Sequence, residues 1–448
     1  MDIKQFITPY SPWFNSEEKE RWESSIPSFR RPVFEQLMDD LDSIEQMLSV
    51  TGPRRVGKST LLHQMIQHLI NEKNVPVENI LYYSFDDPAL FQKNCSGEQL
   101  IELLFESAKK REGTVYLFLD EIQTLERWEL YLKKYYDLKF PCRVVVSGSA
   151  SSPFFKKSRE SLLGRIKDYH VLPFSFCEYL LFELTQEKRT DLIQEVHSIR
   201  SAGEQLKGML IRSPSHLETE YTRIPELSLE LWDYSSRVME TYLVDGGFPE
   251  VWKMPTQEKK IEYLYDNQVK KVIYEDLVVA TELRKPEQLK RFYISLLGHP
   301  GVEVNFTKSS NETEVNRQQI EKYLPLLEMT DLIAHASKFR KSATRVRKGN
   351  RKYYLIDLAL RNTVLRIGKE LLEDSTTMGL YAENLVFNAL RKWKGMIQLD
   401  YYRENNQEVD FIVQVTPSKY IPIEVKYRNQ WSRSDLKGID YFRNISAN

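Results

Sequence analysis

The chain of 448 residues has only three cysteines, Cys95, Cys142 and Cys177, far apart and odd in number. They offer no metal-ligand spacing and no disulfide framework, which suggests reduced thiols in a cytoplasmic protein. Seven scattered histidines add no cluster; His63 and His68, five positions apart, read as decoration of one helix. An excess of charge of one sign is missing too. The 63 Lys and Arg residues against 64 Asp and Glu leave a net charge of −1. That excludes a global polycation and confines any nucleic-acid surface to a local patch. No apolar run exceeds five residues, far short of the roughly 20 that a membrane helix needs. Met1–Arg21 lacks an apolar stretch and carries early acids, so no secretory signal is expected. Internal repeats and low-complexity tracts are likewise absent. A soluble chain of about two to four domains, each with its own core, is expected from this length.

What the chain does have is Gly52-Pro53-Arg54-Arg55-Val56-Gly57-Lys58-Ser59, which fits G-x-x-x-x-G-K-[ST]. Glycines at both ends permit a sharp turn whose backbone N–H groups face an anion. In such a loop Lys58 reaches the outer phosphates of ATP and the Ser59 hydroxyl holds Mg²⁺. The helix that follows, from Thr60 to about Asn71, aims its positive end at the same charge. A strand-like run precedes the loop (Ser43–Thr51), and Leu61-Leu62, Met65-Ile66 and Leu69-Ile70 recur at helical spacing after it. A second run, Val115-Tyr116-Leu117-Phe118-Leu119, suits a strand buried on both faces of a parallel sheet. It ends in Asp120-Glu121, and two carboxylates there are costly unless they serve Mg²⁺ and a water. Asp120 is the expected Mg²⁺ partner and Glu121 the residue that polarises the attacking water. A third run, Cys142–Val146, ends in Ser147-Gly148-Ser149; Ser149 either senses the γ-phosphate or is a plain turn residue. Arg165, in Leu162-Leu163-Gly164-Arg165, either completes a nucleotide site in its own or a neighbouring chain or is a surface arginine.

Taken in order, G-P-R-R-V-G-K-S-T, L-D-E-I-Q, S-G-S-A and L-L-G-R…L-P-F-S-F-C-E-Y-L resemble the prokaryotic AAA+ type ATPases that carry a C-terminal domain of formerly unknown function. Asp245-Gly246-Gly247-Phe248-Pro249-Glu250 and Glu408-Val409-Asp410-Phe411-Ile412 match further signatures of that family. The resemblance covers nearly the whole chain. It implies an α/β class with a P-loop ATPase core and nucleotide hydrolysis, and leaves the physiological role open.

Four domains are expected. Residues 1–185 read as the ATPase core, with a further strand at Asn79–Phe85. Residues 186–300 read as a helical lid or connector, broken at Pro214, Pro225 and Gly246-Gly247. Residues 301–372 have the outline of a winged helix: helical spacing over Glu314–Leu327, a strand at Leu332-Ile333-Ala334, a basic loop, and a strand at Lys352–Ile356. Between Lys338 and Lys352 eight of fifteen residues are Lys or Arg and none is acidic. That segment either pairs with the phosphates of double-stranded DNA or is a solvated hairpin.

Residues 373–448 hold a separate constellation. Glu383 lies in an apparent helix, Tyr381–Trp393, and Asp410 in the strand Glu408–Val415. In Glu424-Val425-Lys426, residues two apart on a strand share a face. Glu383, Asp410 and Glu424 are expected to meet around one Mg²⁺, with Lys426 stabilising developing charge. This looks like the PD-(D/E)xK nuclease core, a restriction-endonuclease-like α/β fold that is either active or kept only as a scaffold. After an expected helix at Arg433–Phe442 the sequence leaves no residues for the last strand and helix of that fold. A shortened or minimal domain is expected, and a homo-oligomer is allowed by every feature above.

Overall fold

The computed structural model describes residues 3–88, 95–149, 161–212, 225–281, 283–340, 351–393, 395, 397–416, 418–428, 430 and 432–446. Two compact units emerge. The first comprises Met1–Leu172 and Tyr274–Leu283, the second Pro173–Ile273 and Arg284–Asn448. The divisions expected at 185, 300 and 372 do not coincide with these units.

The first unit is built on five parallel strands: β1 (Met47–Gly52), β2 (Ile80–Ser84), β3 (Val115–Asp120), β4 (Cys142–Ser149) and β5 (Ile166–His170). Their order is β2-β3-β4-β1-β5. Every residue of β1 and β2 is buried, as unbroken apolar runs demand when helices cover both faces. Helices Gly97–Lys109 and Trp128–Asp137 supply one cover, and Phe105 stacks on Tyr135 at 3.9 Å between ring centroids. Register aligns the strand ends. Gly52 lies opposite Ser149, and Ser84 opposite Asp120. Four strands therefore deliver their C-terminal residues to one edge of the sheet, where open parallel sheets bind ligands.

The second unit opens with helices Phe176–Gln186, Thr190–Arg212 and Leu229–Asp245, in keeping with the helical texture expected after residue 186. The Asp245-Gly246-Gly247 signature proves to be a packing device. A Cβ on Gly247 would lie 2.1 Å from the Phe174 carbonyl oxygen. The Gly247 N–H donates to Asp357 Oδ2 at 2.7 Å, and Asp357 Oδ1 also caps the helix Leu358–Leu365 through the Ala359 N–H at 2.8 Å. Only a residue without a side chain permits that approach.

A five-stranded mixed sheet closes this unit: β6 (Ile333–Lys338), β7 (Arg351–Leu355), β8 (Gln398–Glu404), β9 (Gln407–Thr416) and β10 (Lys419–Ile423), ordered β10-β9-β8-β6-β7. The helix Arg317–Met329 followed by the antiparallel pair β6–β7 reproduces the expected helix-strand-strand outline. That pair is not a free-standing wing, because β6 also pairs in parallel with β8. Residues 301–372 and 373–448 thus share one sheet. The basic segment itself, 341–350, lies outside the described residues.

Candidate nucleotide site and a second acidic cluster

β1 ends in the phosphate loop. Gly52 has φ +149°, and a Cβ there would sit 1.9 Å from the Val171 carbonyl oxygen, so the chain leaving β5 runs too close for any side chain. Arg55 and Gly57 both adopt positive φ, at 65° and 94°. Gly57 then starts the helix Lys58–Asn71, whose first-turn amides have no partner within the helix and point at the loop. Thr60 lies in that first turn. Lys58 is buried, with Nζ donating to the carbonyls of Gly52 (3.2 Å) and Pro53 (2.8 Å). Arg31 braces the loop from outside by donating to the carbonyl of Val56 at 3.2 Å. Arg54 forms a two-pronged pair with Asp276, Nε to Oδ2 at 2.8 Å, which raises its pKa above the ordinary arginine value, the Asp276 hydrogen bond being the largest cause.

At the end of β3, Asp120 is held by three donors. Tyr82 OH reaches Oδ2 at 2.8 Å, the Glu121 N–H reaches Oδ1 at 3.0 Å, and the Ser147 hydroxyl donates to Oδ1 as well. Glu121 adopts a left-handed conformation, φ 49°, and its Oε2 accepts from Gln123 Nε2. Ser149 is buried at the end of β4, level with Gly52, whereas Ser147 is the serine that touches Asp120.

Sequence reasoning missed a chain of aromatic contacts here. Trp22 Nε1, from the helix Ser16–Ser25, donates to His63 Nδ1 at 3.1 Å, and the His63 ring lies 4.9 Å from that of Tyr82. Far from decorating a helix, His63 is half-buried. Burial lowers its pKa, with Asp120 opposing. Burial and then Asp120 push the Tyr82 phenol far above its ordinary pKa, so it stays a donor. A cavity of about 410 Å³ is bordered by Ser59, His63, Tyr82, Asp120 and Glu121, together with Tyr10 of the N-terminal segment. Ser59 and Asp120 bring a hydroxyl and a carboxylate to one space, a hard-oxygen pair that suits Mg²⁺.

Arg165 sits elsewhere. Its carbonyl accepts from the N–H of Met47, the first residue of β1. At about 3.3 Å per residue that is roughly 16 Å from the phosphate-loop end of the strand. Its guanidinium grips Asp137, at 2.7 and 3.2 Å. In its own chain Arg165 thus lies away from the phosphate loop and is held by Asp137.

The second unit gathers most of the acids expected there, around an unexpected centre. Lys352, on β7, is 3% exposed. Its ammonium lies 3.1 Å from Glu383 Oε1, 2.6 Å from Glu408 Oε1 and 4.0 Å from Asp410 Oδ1. Burial works against that charge, but Glu383, Glu408 and Asp410 outweigh it and raise the lysine pKa. Tyr354 OH also donates to Glu383 Oε1, at 2.8 Å. Asp410 Oδ2 accepts the Val425 N–H at 2.8 Å, and Lys426 donates to Glu424 Oε1. Burial raises the pKa of Glu383, Asp410 and Glu424. β10 stops at Ile423, so Glu424 and Lys426 lie just beyond the strand rather than in it. Among the described residues, no group of three or more His, Cys, Asp or Glu is arranged to hold a metal ion. The expected trio of Glu383, Asp410 and Glu424 is accordingly not such a group. Lys352 also faces inward, away from any phosphate, although it counts among the cations of 338–352.

Comparisons with known proteins agree over residues 45–180 and name little in the rest of the chain. Residues 45–180 match the family described as AAA domain. Residues 236–371 and 378–448 match two families described only as domains of unknown function. An uncharacterized protein of Methanocaldococcus jannaschii is 26% identical, over 81% of this chain and 71% of its own length. One of Haemophilus influenzae is 25% identical, over 81% of this chain and 78% of its own length. Among solved structures, C. elegans PCH-2 aligns over 56% of this chain and 66% of that one, at 12% identity and a TM-score of 0.32. That likeness is too distant to bear on function. The AAA resemblance read from the motifs therefore stands over residues 45–180. Among the described residues no helix is long and apolar enough to cross a membrane.

Proposed function

We propose that the chain is an Mg²⁺-dependent ATPase. The observation that carries this is the convergence of Ser59, the last residue of the phosphate loop motif, with Asp120 and Glu121 on one cavity at the C-terminal edge of a parallel sheet. Backbone N–H groups of residues 52–60, all but Pro53, wrap the phosphates. Lys58 leaves the carbonyls of Gly52 and Pro53 for the outer phosphates, a short move for a side chain already inside the loop. Ser59 and Asp120 would hold Mg²⁺, which when bound offsets charge on the phosphate oxygens. Glu121 turns from Gln123 to orient the attacking water, and Ser149, level with Gly52, senses the γ-phosphate. Arg165 serves only a neighbouring copy in a homo-oligomer, and only after release from Asp137.

The output of the cycle is proposed to be engagement of double-stranded DNA, motivated by the eight cations of 338–352, of which Lys352 is spent internally. Cutting of that DNA through Glu383, Asp410, Glu424 and Lys426 would further require these acids to give up the Lys352 and Lys426 ammoniums, and is the less favoured form of this reading. The rival, in which the C-terminal unit is a docking module in a nucleotide-operated switch, is favoured by the Lys352 ammonium among the carboxylates. Mg²⁺-dependent ATP hydrolysis, with and without double-stranded DNA, tests both for wild type beside Glu121→Gln. Loss of turnover in Glu121→Gln and stimulation by DNA support the first reading. ATP binding without turnover sinks the ATPase claim. Turnover indifferent to DNA, with intact strands on a gel, leaves the docking module.

A further inference from the structure

We infer that the ammonium of Lys352 is the resident cation of the acidic cluster in the second unit, occupying the place where a divalent metal would be expected. This concerns the second unit alone and holds whether or not ATP is hydrolysed.

Geometry carries it. A buried charge persists only when paired and hydrogen-bonded, and Lys352 meets three carboxylates drawn from distant stretches of chain, Glu383, Glu408 and Asp410. Residues two apart on β7 share a face, and Lys352 and Tyr354 accordingly donate to the same oxygen, Glu383 Oε1. That oxygen has two protein donors. Asp410 gives one oxygen to the Val425 N–H and turns the other towards Lys352. Glu424 gives one to Lys426, which leaves Oε2 as a single oxygen without a partner. A divalent ion entering here would have to displace the Lys352 and Lys426 ammoniums from Glu383, Asp410 and Glu424. A divalent ion placed among these acids would also meet the like charge of a buried ammonium at close range.

The consequence is an acidic cluster whose central cation is supplied by the chain itself. Its carboxylates serve to hold β7, β9 and the helix Ser375–Leu390 together, through a lysine that the helix, strand, Glu-x-Lys outline does not include.

The test is a Mn²⁺ titration of the nucleotide-free full chain, read by electron paramagnetic resonance of the free ion. It is run in an Asp120→Asn background so that the nucleotide site contributes nothing. We expect Asp120→Asn and Asp120→Asn/Asp410→Asn to bind Mn²⁺ equally, with no stoichiometric site below millimolar concentration. One equivalent of Mn²⁺ bound by the first and lost in the second overturns the inference. Thermal melts provide an arm independent of metal. Lys352→Met should lower Tm by about 6–15 °C, and Lys352→Met/Glu383→Gln, which removes one stranded charge, should recover part of that loss. A Tm unchanged by Lys352→Met overturns the inference as well.

Discussion

Removing one hydroxyl from Tyr82 tests whether the aromatic chain beside the nucleotide site matters for turnover. Tyr82→Phe keeps the ring, and with it the packing against His63 at 4.9 Å. It deletes the donor that reaches Asp120 Oδ2 at 2.8 Å. Asp120 keeps Ser147 and the Glu121 N–H, both on Oδ1, so the carboxylate stays anchored at one oxygen and becomes free to rotate the other. A hydrogen bond to a charged group contributes about 1.5–3 kcal/mol. Each 1.36 kcal/mol lost from transition-state placement is tenfold in rate, so kcat should fall about 10- to 100-fold. Because the change is confined to the hydroxyl that meets Asp120, ATP affinity measured in EDTA should not change. The Mg²⁺ concentration for half-maximal turnover should rise with the fall in kcat. Steady-state ATPase assays across a Mg²⁺ series, paired with equilibrium binding of a fluorescent ATP analogue, read these quantities separately. A kcat within twofold of wild type at saturating Mg²⁺ would refute the positioning role. A parallel loss of metal-free ATP affinity would show instead that the mutation deforms the loop.

Arg165→Ala should leave turnover unchanged at concentrations where the chain is monomeric, because Arg165 lies at the far end of the sheet from the phosphate loop; kcat measured across a dilution series checks this. Asp276→Asn frees Arg54 from its two-pronged pair. Because the Arg54 side chain is 42% exposed, the gain should be modest, about fivefold in ATP affinity or ~1 kcal/mol, read by isothermal titration. Gly247→Ala would place a Cβ 2.1 Å from the Phe174 carbonyl oxygen and should destabilise the second unit by about 2–3 kcal/mol in urea unfolding. Burial raises the Asp357 pKa from 3.8 to about 6. The folded value exceeds the unfolded one, so its contribution to stability is complete below about pH 4 and is lost as pH rises through about 6, some 3 kcal/mol in all. Unfolding free energies of Asp357→Asn should lack that pH 4 to 6 slope when subtracted from wild type.

Legibility in the sequence tracks the range of the interactions. The phosphate loop is local, since strand, glycines, lysine and helix lie within about 25 consecutive residues, and each is readable to within a few positions of its structural bounds. Buried parallel strands announce themselves by unbroken apolar runs, so β2, β3 and β4 are visible. The donors that orient Asp120 are not. Tyr82 comes from β2 and Ser147 from β4, and neither strand shows by itself which carboxylate its hydroxyl will meet. A signal exists in the Tyr82-Tyr83 pair, polar tips in a run that is otherwise apolar, since a buried phenol must find an acceptor. His63 and Trp22, 41 residues apart, carry no pattern at all. The sheet shared across the expected boundary at 372 is hidden for the same reason, although two family matches part there, at 236–371 and 378–448. The parallel pairing of β6 with β8 joins Ser337 to Asp400 across 63 positions, and no turn or periodicity encodes it.

Lys352 shows where a count of charges misleads. Eight cations in fifteen residues look like one exposed surface, yet the last of them stands in the strand Arg351-Lys352-Tyr353-Tyr354-Leu355, where four of five residues are buried. Strand alternation could have flagged it, because Lys352 and Tyr354 must face the same way, and a tyrosine flanked by apolar residues faces inward more often than out. A lysine facing inward requires acids, since desolvation of the ammonium is otherwise prohibitive. The need for a carboxylate partner is therefore written in β7. Which acids answer it is not, because they arrive from a helix and a strand some 31 to 58 positions later. The same acids, read on their own pattern of Asp410 and Glu424-Val425-Lys426, suggest a metal. A cation requirement on one strand and a surplus of carboxylates on others satisfy each other, and a metal becomes unnecessary once both are counted.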